Sequence, residues 1–304
     1  MSKMTGGPVE PPQFRLVEWP DFLVRESSEA GDFLVQGLIP AQSQTIWQGR
    51  PKVGKSHTLL QLAYDAGAGL PVFGRFPVPR PVRTAYVELE EPEALTKQRY
   101  EKMLDAQEKA PDRGMLWFLS SNDLYRMRWF PRELLGTRRR QFYRALKDEG
   151  IEMLIMIALR RFVSGDPNEP TVAESLNDAL DELHVEAGVA LLMANHTRKA
   201  SAKTAEARGF GSTMFAARAD AIFDLSRAKG DVRRVQSEAR YDAPSTLFLE
   251  RVTVGNGEVI RVVRDPEESQ RQALSDKLAK GISLRQAAKD LKMSYGSAHR
   301  LANG

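Results

Sequence analysis

The chain contains no cysteine, which excludes disulfides, thiolate zinc sites and thiol catalysis without identifying a redox compartment. Histidine is scarce, with four residues in 304, so little is available for a histidine-based metal cluster. Long hydrophobic runs are missing. The longest uninterrupted apolar stretch, Met153 to Leu159, falls far short of the ~18 residues that suggest a membrane span. The opening residues Met1-Ser2-Lys3-Met4-Thr5 lack the apolar region of a signal peptide, and the expectation is a soluble, cytoplasmic protein with no membrane partner. An excess of one charge sign is also absent: 44 basic against 40 acidic residues leave a formal net charge of +4, too little to name a partner. Most of that excess lies in the tail from Pro266 to Gly304, where seven basic residues accompany four acidic ones; a solvated helical surface could carry it as well as a nucleic-acid contact.

What is present is a complete phosphate-binding loop. Residues Gly49-Arg50-Pro51-Lys52-Val53-Gly54-Lys55-Ser56 read G-x-x-x-x-G-K-[ST], in which glycines let backbone N–H groups close around phosphates, the lysine reaches the outer phosphates and the hydroxyl holds Mg²⁺. Its flanks are right for the motif. Gln44 to Gln48 has the β-branched and apolar content of a short buried strand, and Ser56 to Ala68 carries Leu59, Leu60, Leu62 and Ala63 at helical spacing. Strand, tight loop and helix N-terminus together make an anion site. ATP and Mg²⁺ are therefore the expected ligands, held by Gly49, Pro51, Lys52, Val53, Gly54, Lys55, Ser56 and His57, with Ser56 as the metal contact.

Around the loop the chain alternates strands and helices, the pattern of an α/β fold with a mostly parallel sheet. Residues 1–30 read as an N-terminal arm, 31–265 as the nucleotide-binding domain and 266–304 as a C-terminal helix-turn-helix-like module. Strands are expected at 44–48, 83–89, 115–119, 153–157 and 189–194, with helices at 56–68, 94–107, 131–149 and 172–187. After Asp220 come short β-like runs separated by Gly230-Asp231 and Gly255-Asn256-Gly257, turn signals that predict antiparallel strands extending the sheet. In the tail, Ser283-Leu284-Arg285-Gln286 starts a helix as a capping box. Ser294 caps a last helix that presents Tyr295, Ser297, His299 and Arg300 to a DNA groove, although Lys292 stands where the turn glycine is usual. A helical lid or oligomerisation tail is the alternative.

Hydrolysis needs a carboxylate to orient water, and ligands of open α/β sheets sit at the carboxyl ends of the strands. The strand Thr84 to Leu89 delivers Glu90 and Glu91 there; Glu90 is the candidate that activates water, while Glu91 and Glu93 suit an acidic helix start. The strand 189–194 runs into Asn195-His196-Thr197-Arg198-Lys199, which makes His196 the candidate sensor of the γ-phosphate.

The order of these segments resembles the RecA/DnaB-like P-loop ATPases, most closely the RepA-type hexameric replicative DNA helicases. The matching stretches are Gly37-Leu38-Ile39-Pro40, the phosphate loop, Tyr86 to Pro92, Asn195 to Lys199, and Arg208-Gly209-Phe210-Gly211-Ser212 before Ala219-Asp220-Ala221. The resemblance covers about residues 20–260 and implies a RecA-like core, a homo-oligomeric ring, in that family a hexamer, and single-stranded or duplex DNA as partner. It assigns Glu90 as the catalytic glutamate, His196 as the sensor and Arg240 as an arginine finger serving a neighbouring subunit. It also implies a DNA path along basic loops after two strands, with Arg160 and Arg161 in one and Arg198, Lys199, Lys203 and Arg208 in the other. Two positions depart from the pattern: Ile157 stands where the Walker B aspartate belongs, and Glu238 where the finger motif has lysine. The expected function is an ATP-dependent DNA helicase or translocase acting in replication. The alternative is an ATP-gated DNA-binding assembly, an initiator, loader or regulator, with slow or absent turnover; a metabolic kinase is a distant third, as no phosphoacceptor pocket is evident.

Overall fold

The computed structural model describes residue 18 and residues 32–166, 169–197 and 217–303. The chain divides into two units, residues 1–32 and residues 33–304, and the second carries every described helix and strand. A short antiparallel pair, β1 (Phe33–Val35) and β2 (Ile39–Pro40), precedes the main sheet.

Among the described residues the main sheet has nine strands: β3 (Gln44–Gly49), β4 (Thr84–Glu88), β5 (Leu116–Ser120), β6 (Met153–Ile157), β7 (Ala190–His196), β8 (Ala221–Arg227), β9 (Arg233–Ala239), β10 (Thr246–Val254) and β11 (Gly257–Val263), in the order β11-β10-β9-β8-β3-β7-β6-β4-β5. The six strands from β8 to β5 are parallel. Strands β9, β10 and β11 return antiparallel, which extends the sheet as the turn signals predict. One detail differs from that reading: β8 is not antiparallel but lies parallel to β3, so the central strand has a parallel neighbour on each side. The fully buried runs Thr84–Glu88 and Met153–Ile157 suit interior strands, since a strand covered on both faces needs no polar alternation.

Helices cover both faces. One face carries α1 (Lys55–Ala68) and α2 (Glu93–Ala106), packed on Trp47, Tyr86, Ile155 and Phe223. The other carries α4 (Arg139–Asp148) and α5 (Pro170–Ala187), packed on Ile46, Val87, Leu154 and Met156. The period-2 alternation of each strand thus separates two cores. This is the α/β fold with a mostly parallel sheet expected from the sequence, with β3 and its phosphate loop at the centre.

The helix expected over 131–149 is interrupted. Pro131–Glu133 forms a single 3₁₀ turn, the N–H groups of Gly136 and Arg138 both return to the Glu133 carbonyl, and α4 begins only at Arg139. Gly136 is the cause: it lowers helix propensity by about 1 kcal/mol, and a side chain there would meet the Arg132 carbonyl at 2.7 Å. A short helix that the sequence pattern does not announce, α3 (Ser121–Arg126), is set by a capping box between Ser120 and Asp123.

The antiparallel end of the sheet curls over α1 and α2. Gly257, at the start of β11, lies against the α2 backbone at Lys102 and Ala106 with no room for a Cβ. Ile260 N donates to Gln61 Oε1 on α1 at 3.0 Å, and Arg261 donates to Gln107 Oε1 at 2.7 Å. Helix α1 is therefore sandwiched between sheet and hairpin, which is why Gln61 and Asp65 are as buried as Leu59, Leu60 and Leu62. Each such leucine contributes roughly 1.5–3 kcal/mol by burial. Asp65 is held by Gln61 and Gln107 side chains and the Phe73 N–H at 2.8–2.9 Å.

Three helices close the chain: α6 (Pro266–Ala279), α7 (Leu284–Asp290) and α8 (Tyr295–Asn303). Leu274, Ala287, Ala288 and Ala298 form their small shared core. Side chains of Asp265, Ser283 and Ser294 accept the first free N–H groups of the three helices. Lys292 takes the left-handed conformation, φ 52°, that a glycine would more easily adopt in the turn before α8. Among the described residues no helix is long and apolar enough to cross a membrane.

Candidate functional site

The phosphate loop joins the buried end of β3 to α1, and its backbone leaves little choice of residue. A Cβ on Gly49 would stand 2.5 Å from the Leu225 carbonyl of β8, so only glycine lets the loop leave the sheet at this point. Gly54, φ 108°, turns the chain into the helix. No side chain caps that helix, so the first-turn N–H groups face the cavity and suit an anion. Arg233 Nε, from β9, donates to the Val53 carbonyl at 2.8 Å and steadies the loop from outside.

The cavity at the loop has a volume of about 490 Å³, within the usual range for small-ligand sites of ~300–1,000 Å³. Pro51, Lys52, Val53, Gly54, Lys55, Ser56 and His57 line it, and Gly49 supplies a carbonyl to its floor. Buried Lys55 donates to the carbonyls of Gly49 at 2.9 Å and Arg50 at 3.2 Å, and its third contact is His196 Nδ1 at 3.2 Å. An ammonium only donates, so Nδ1 accepts and Nε2 carries the hydrogen. That nitrogen faces Glu90 Oε1 at 3.2 Å and Oε2 at 3.3 Å. Burial lowers the Lys55 pKa to about 8, with Glu90 and then Glu91 opposing the shift.

Glu90 and His196 are thus brought together with the loop, as their positions at strand ends predict. The turn that presents Glu90 is built by Glu88, which sequence reading missed: its Oε1 accepts the N–H groups of Glu90 at 2.9 Å and Glu91 at 3.0 Å. Burial raises the Glu88 pKa to about 7, against the lowering effect of those two hydrogen bonds. Glu91 is occupied by an ion pair with Arg99, which leaves Glu90 as the carboxylate that faces His196. Thr197 N donates to Gly49 O at 3.2 Å, tying the end of β7 to the loop.

Ile157 is 1% exposed and lines the cavity beside its strand partner Glu88, so an apolar side chain faces the phosphate loop from the end of β6. His57 faces the hairpin roof; burial, then Arg99 and Arg251, lower its pKa to about 4, so it is neutral near pH 7. Arg99, Arg233 and Arg251 line the cavity too, and all three escaped sequence reading. The latter two arrive on strands whose approach to the loop depends on sheet order.

Arg240 lies elsewhere. In the β8–β9 register Arg227 pairs with Arg233 near the loop, whereas Ala221 pairs with Ala239 at the far edge of the sheet. Arg240 follows Ala239 and donates to the Ala217 carbonyl at 2.6 Å, so it does not enter its own chain's cavity. Arg160 and Arg161 are exposed on the 3₁₀ turn after β6. Arg198, Lys199, Lys203 and Arg208, with the Arg208-Gly209-Phe210-Gly211-Ser212 stretch, lie outside the described residues. In the tail, Tyr295 is half-exposed beside Arg285 and the His299 ring, whereas Ser297 and Arg300 face the antiparallel end of the sheet.

The arrangement fits a nucleoside triphosphate: a glycine cradle that a Cβ would fill, helix-start N–H groups with no side-chain cap, a buried lysine and three arginines. Mg²⁺ fits through the Ser56 hydroxyl together with phosphate oxygens and water, since among the described residues no group of three acidic or histidine ligands could hold a metal alone.

A family model described as an AAA domain matches residues 10–202. Among solved structures, a KaiC-like protein from the hyperthermophilic archaeon Pyrococcus horikoshii OT3 is similar at 14% identity over 75% of this chain and 93% of that one, with a TM-score of 0.47. No curated protein matches the chain by sequence.

Proposed function

The chain belongs to the AAA domain family, and from that premise we propose that it is a DNA-dependent ATPase, a ring-forming helicase or translocase of the RepA type acting in DNA replication. The observation that carries this reading is the continuous line from Lys55 through His196 to Glu90. Lys55 would contact the terminal phosphate, Glu90 would orient and deprotonate the attacking water, and His196 would report loss of the phosphate to the loop that follows β7. The Ser56 hydroxyl would hold Mg²⁺ together with the phosphates, where the ion would supply charge neutralisation. Arg240, at the far edge of its own sheet, would serve as a finger only toward a neighbouring subunit. DNA would pass Arg160 and Arg161, and six subunits are the expected assembly.

The test is ATPase rate with and without single-stranded DNA, beside the Glu90→Gln variant. Stimulation by DNA and loss in the variant are expected; a rate at background in every condition removes the motor. Native mass with a nonhydrolysable ATP analogue should show the ring, and a persistent monomer counts against Arg240 in trans.

Ile157 favours a second reading. With no acid to accept from a metal-bound water at that position, ATP binding is better supported than fast turnover, as suits an ATP-gated DNA-binding assembly such as an initiator, loader or regulator. That protein would show nucleotide-dependent DNA binding with turnover too slow for DNA to accelerate.

A further inference from the structure

A second and larger cavity, about 1330 Å³, lies between the antiparallel end of the sheet and the C-terminal helices. One wall contributes Arg227, Lys229 and Arg234 from β8, β9 and their turn, with Arg75 from the loop after α1, and the tail wall contributes Arg264, Arg271, Lys292 and Arg300. Among the described residues none of these eight is ion-paired to a carboxylate. Three acids share the cavity, Asp265, Glu267 and Glu268, and Asp265 is occupied in capping α6. Eight cations facing three acids across one cleft repel each other unless an anion lies between them.

We propose that this cleft is a track for the sugar-phosphate backbone of single-stranded DNA, a site separate from the basic loops at Arg160 and Arg161. The assignment rests on the DNA-dependent function proposed for the chain and gives it a location. Two features set the ligand. The volume is that of a cube roughly 11 Å on a side, about the thickness of one α-helix with its side chains, which admits one extended strand and not a duplex. Among the described residues the only aromatic on the walls is Phe248, one ring and not the series of stacking platforms that grips bases. Its contacts are cationic, with the hydroxyls of Ser226, Ser294 and Ser297 among them. Binding there is insensitive to base sequence and steeply dependent on salt.

The same wall touches the nucleotide loop. Arg233 donates to Val53 O, and Arg234, the next residue of β9, points to the opposite face and into the cleft. Arg227 lines the cleft and reaches within 3.5 Å of the Lys52 carbonyl. A strand in the cleft and a triphosphate at the loop therefore act on the same two β-strands, and each should alter affinity for the other by one shared factor.

The test uses the full chain and a fluorescent dT20. Ultraviolet crosslinking of an iodouracil-substituted dT20, mapped by mass spectrometry, is expected to mark the segments 226–234 and 292–301. The double reversal Arg234→Glu with Arg300→Glu should weaken dT20 binding about tenfold or more and make the log–log salt slope shallower by about 1.4, or ~0.7 for each lost phosphate contact. Circular dichroism and thermal melting would verify that the variant is folded, and crosslinking of the unmodified chain decides the matter if it is not. Wild-type binding to dT20 with crosslinks confined to the loop at Arg160 and Arg161, and with the reversal silent, overturns the cleft while leaving the DNA reading intact. Equal competition by a 20-base-pair duplex overturns the single-strand assignment. If the wild-type chain fails to bind dT20 with ADP, with a nonhydrolysable ATP analogue and without nucleotide, the DNA reading itself falls and the cleft with it.

Discussion

Lys55 Nζ lies 3.2 Å from Nδ1 of His196, so the lysine that would hold the outer phosphates is in direct contact with the histidine at the end of β7. The other ring nitrogen faces Glu90, and three residues drawn from distant parts of the chain stand in one line of contacts.

Glu90→Gln should keep the affinity for a fluorescent ATP analogue within a few-fold and lower turnover by about 10²–10⁴, the range for loss of a general base. His196→Ala should also retain binding and lose turnover, and in addition lose any response of the DNA-bound state to nucleotide. Paired binding and steady-state measurements separate the two roles; equal loss of binding in both variants would mean that the line merely supports the loop.

Ile157→Asp restores a carboxylate beside the cavity. Turnover should rise about tenfold, in keeping with added electrostatic help to the phosphates, and half-saturation should shift to lower Mg²⁺. The variant should also melt earlier, because a nearly fully buried carboxylate is costly without a cation. An Mg²⁺ titration of the ATPase rate is the measurement, and an unchanged titration curve would show that the position does not face the metal.

Burial holds Lys55 at a pKa of about 8 in the free site. A bound triphosphate favours the ammonium and raises that value again. Between about 8 and the bound-state pKa, binding must take up a proton, so affinity falls as pH rises, by at most about tenfold per unit. Titration calorimetry at about pH 8.5 in two buffers of different ionisation enthalpy should reveal that uptake, and Lys55→Met should abolish it together with most of the affinity.

Asp65 tests the roof over α1. Burial raises its carboxyl from 3.8 to about 7, so the folded chain holds a proton that the unfolded chain releases. Its stability contribution is fully present below the unfolded pKa and is lost as pH rises from about 4 through 7. Asp65→Asn should remove that slope. It should also cost about 1–3 kcal/mol, since Gln61, Gln107 and the Phe73 N–H all donate to this group and asparagine offers one acceptor oxygen. Urea unfolding at about pH 5 and pH 7 compares the two proteins.

The phosphate loop is legible in the sequence because glycine geometry and anion chemistry are local, and Met153 to Ile157 because a strand buried on both faces has no polar residue to confuse it. Glu90 and His196 can be chosen because strand ends face the ligand edge in any parallel α/β sheet. Arg233 cannot be chosen, since its approach to Val53 depends on β8, the hairpin partner of its strand, lying parallel beside β3, a long-range placement that no local pattern encodes. The role of Glu88 is hidden for another reason: a carboxylate that shapes a turn is spelled like one that does chemistry. In the tail the serine caps are readable, but which side of α8 turns toward the sheet is not, because its polar residues Ser297 and Arg300 look equally suited to solvent.

The hairpin that roofs α1 sets a timetable for the protein's synthesis. Gln61 and its partner Ile260 are 199 residues apart, an interval of about 10–40 s at ~5–20 residues per second. Through that interval the helix carrying Lys55 has no hairpin over it, and the cavity wall made by Arg233, Arg251 and Ile260 is complete only at its end. A nascent chain therefore cannot complete its nucleotide pocket on the ribosome until most of its length is made, and an unroofed apolar helix is what a chaperone would meet in the meantime.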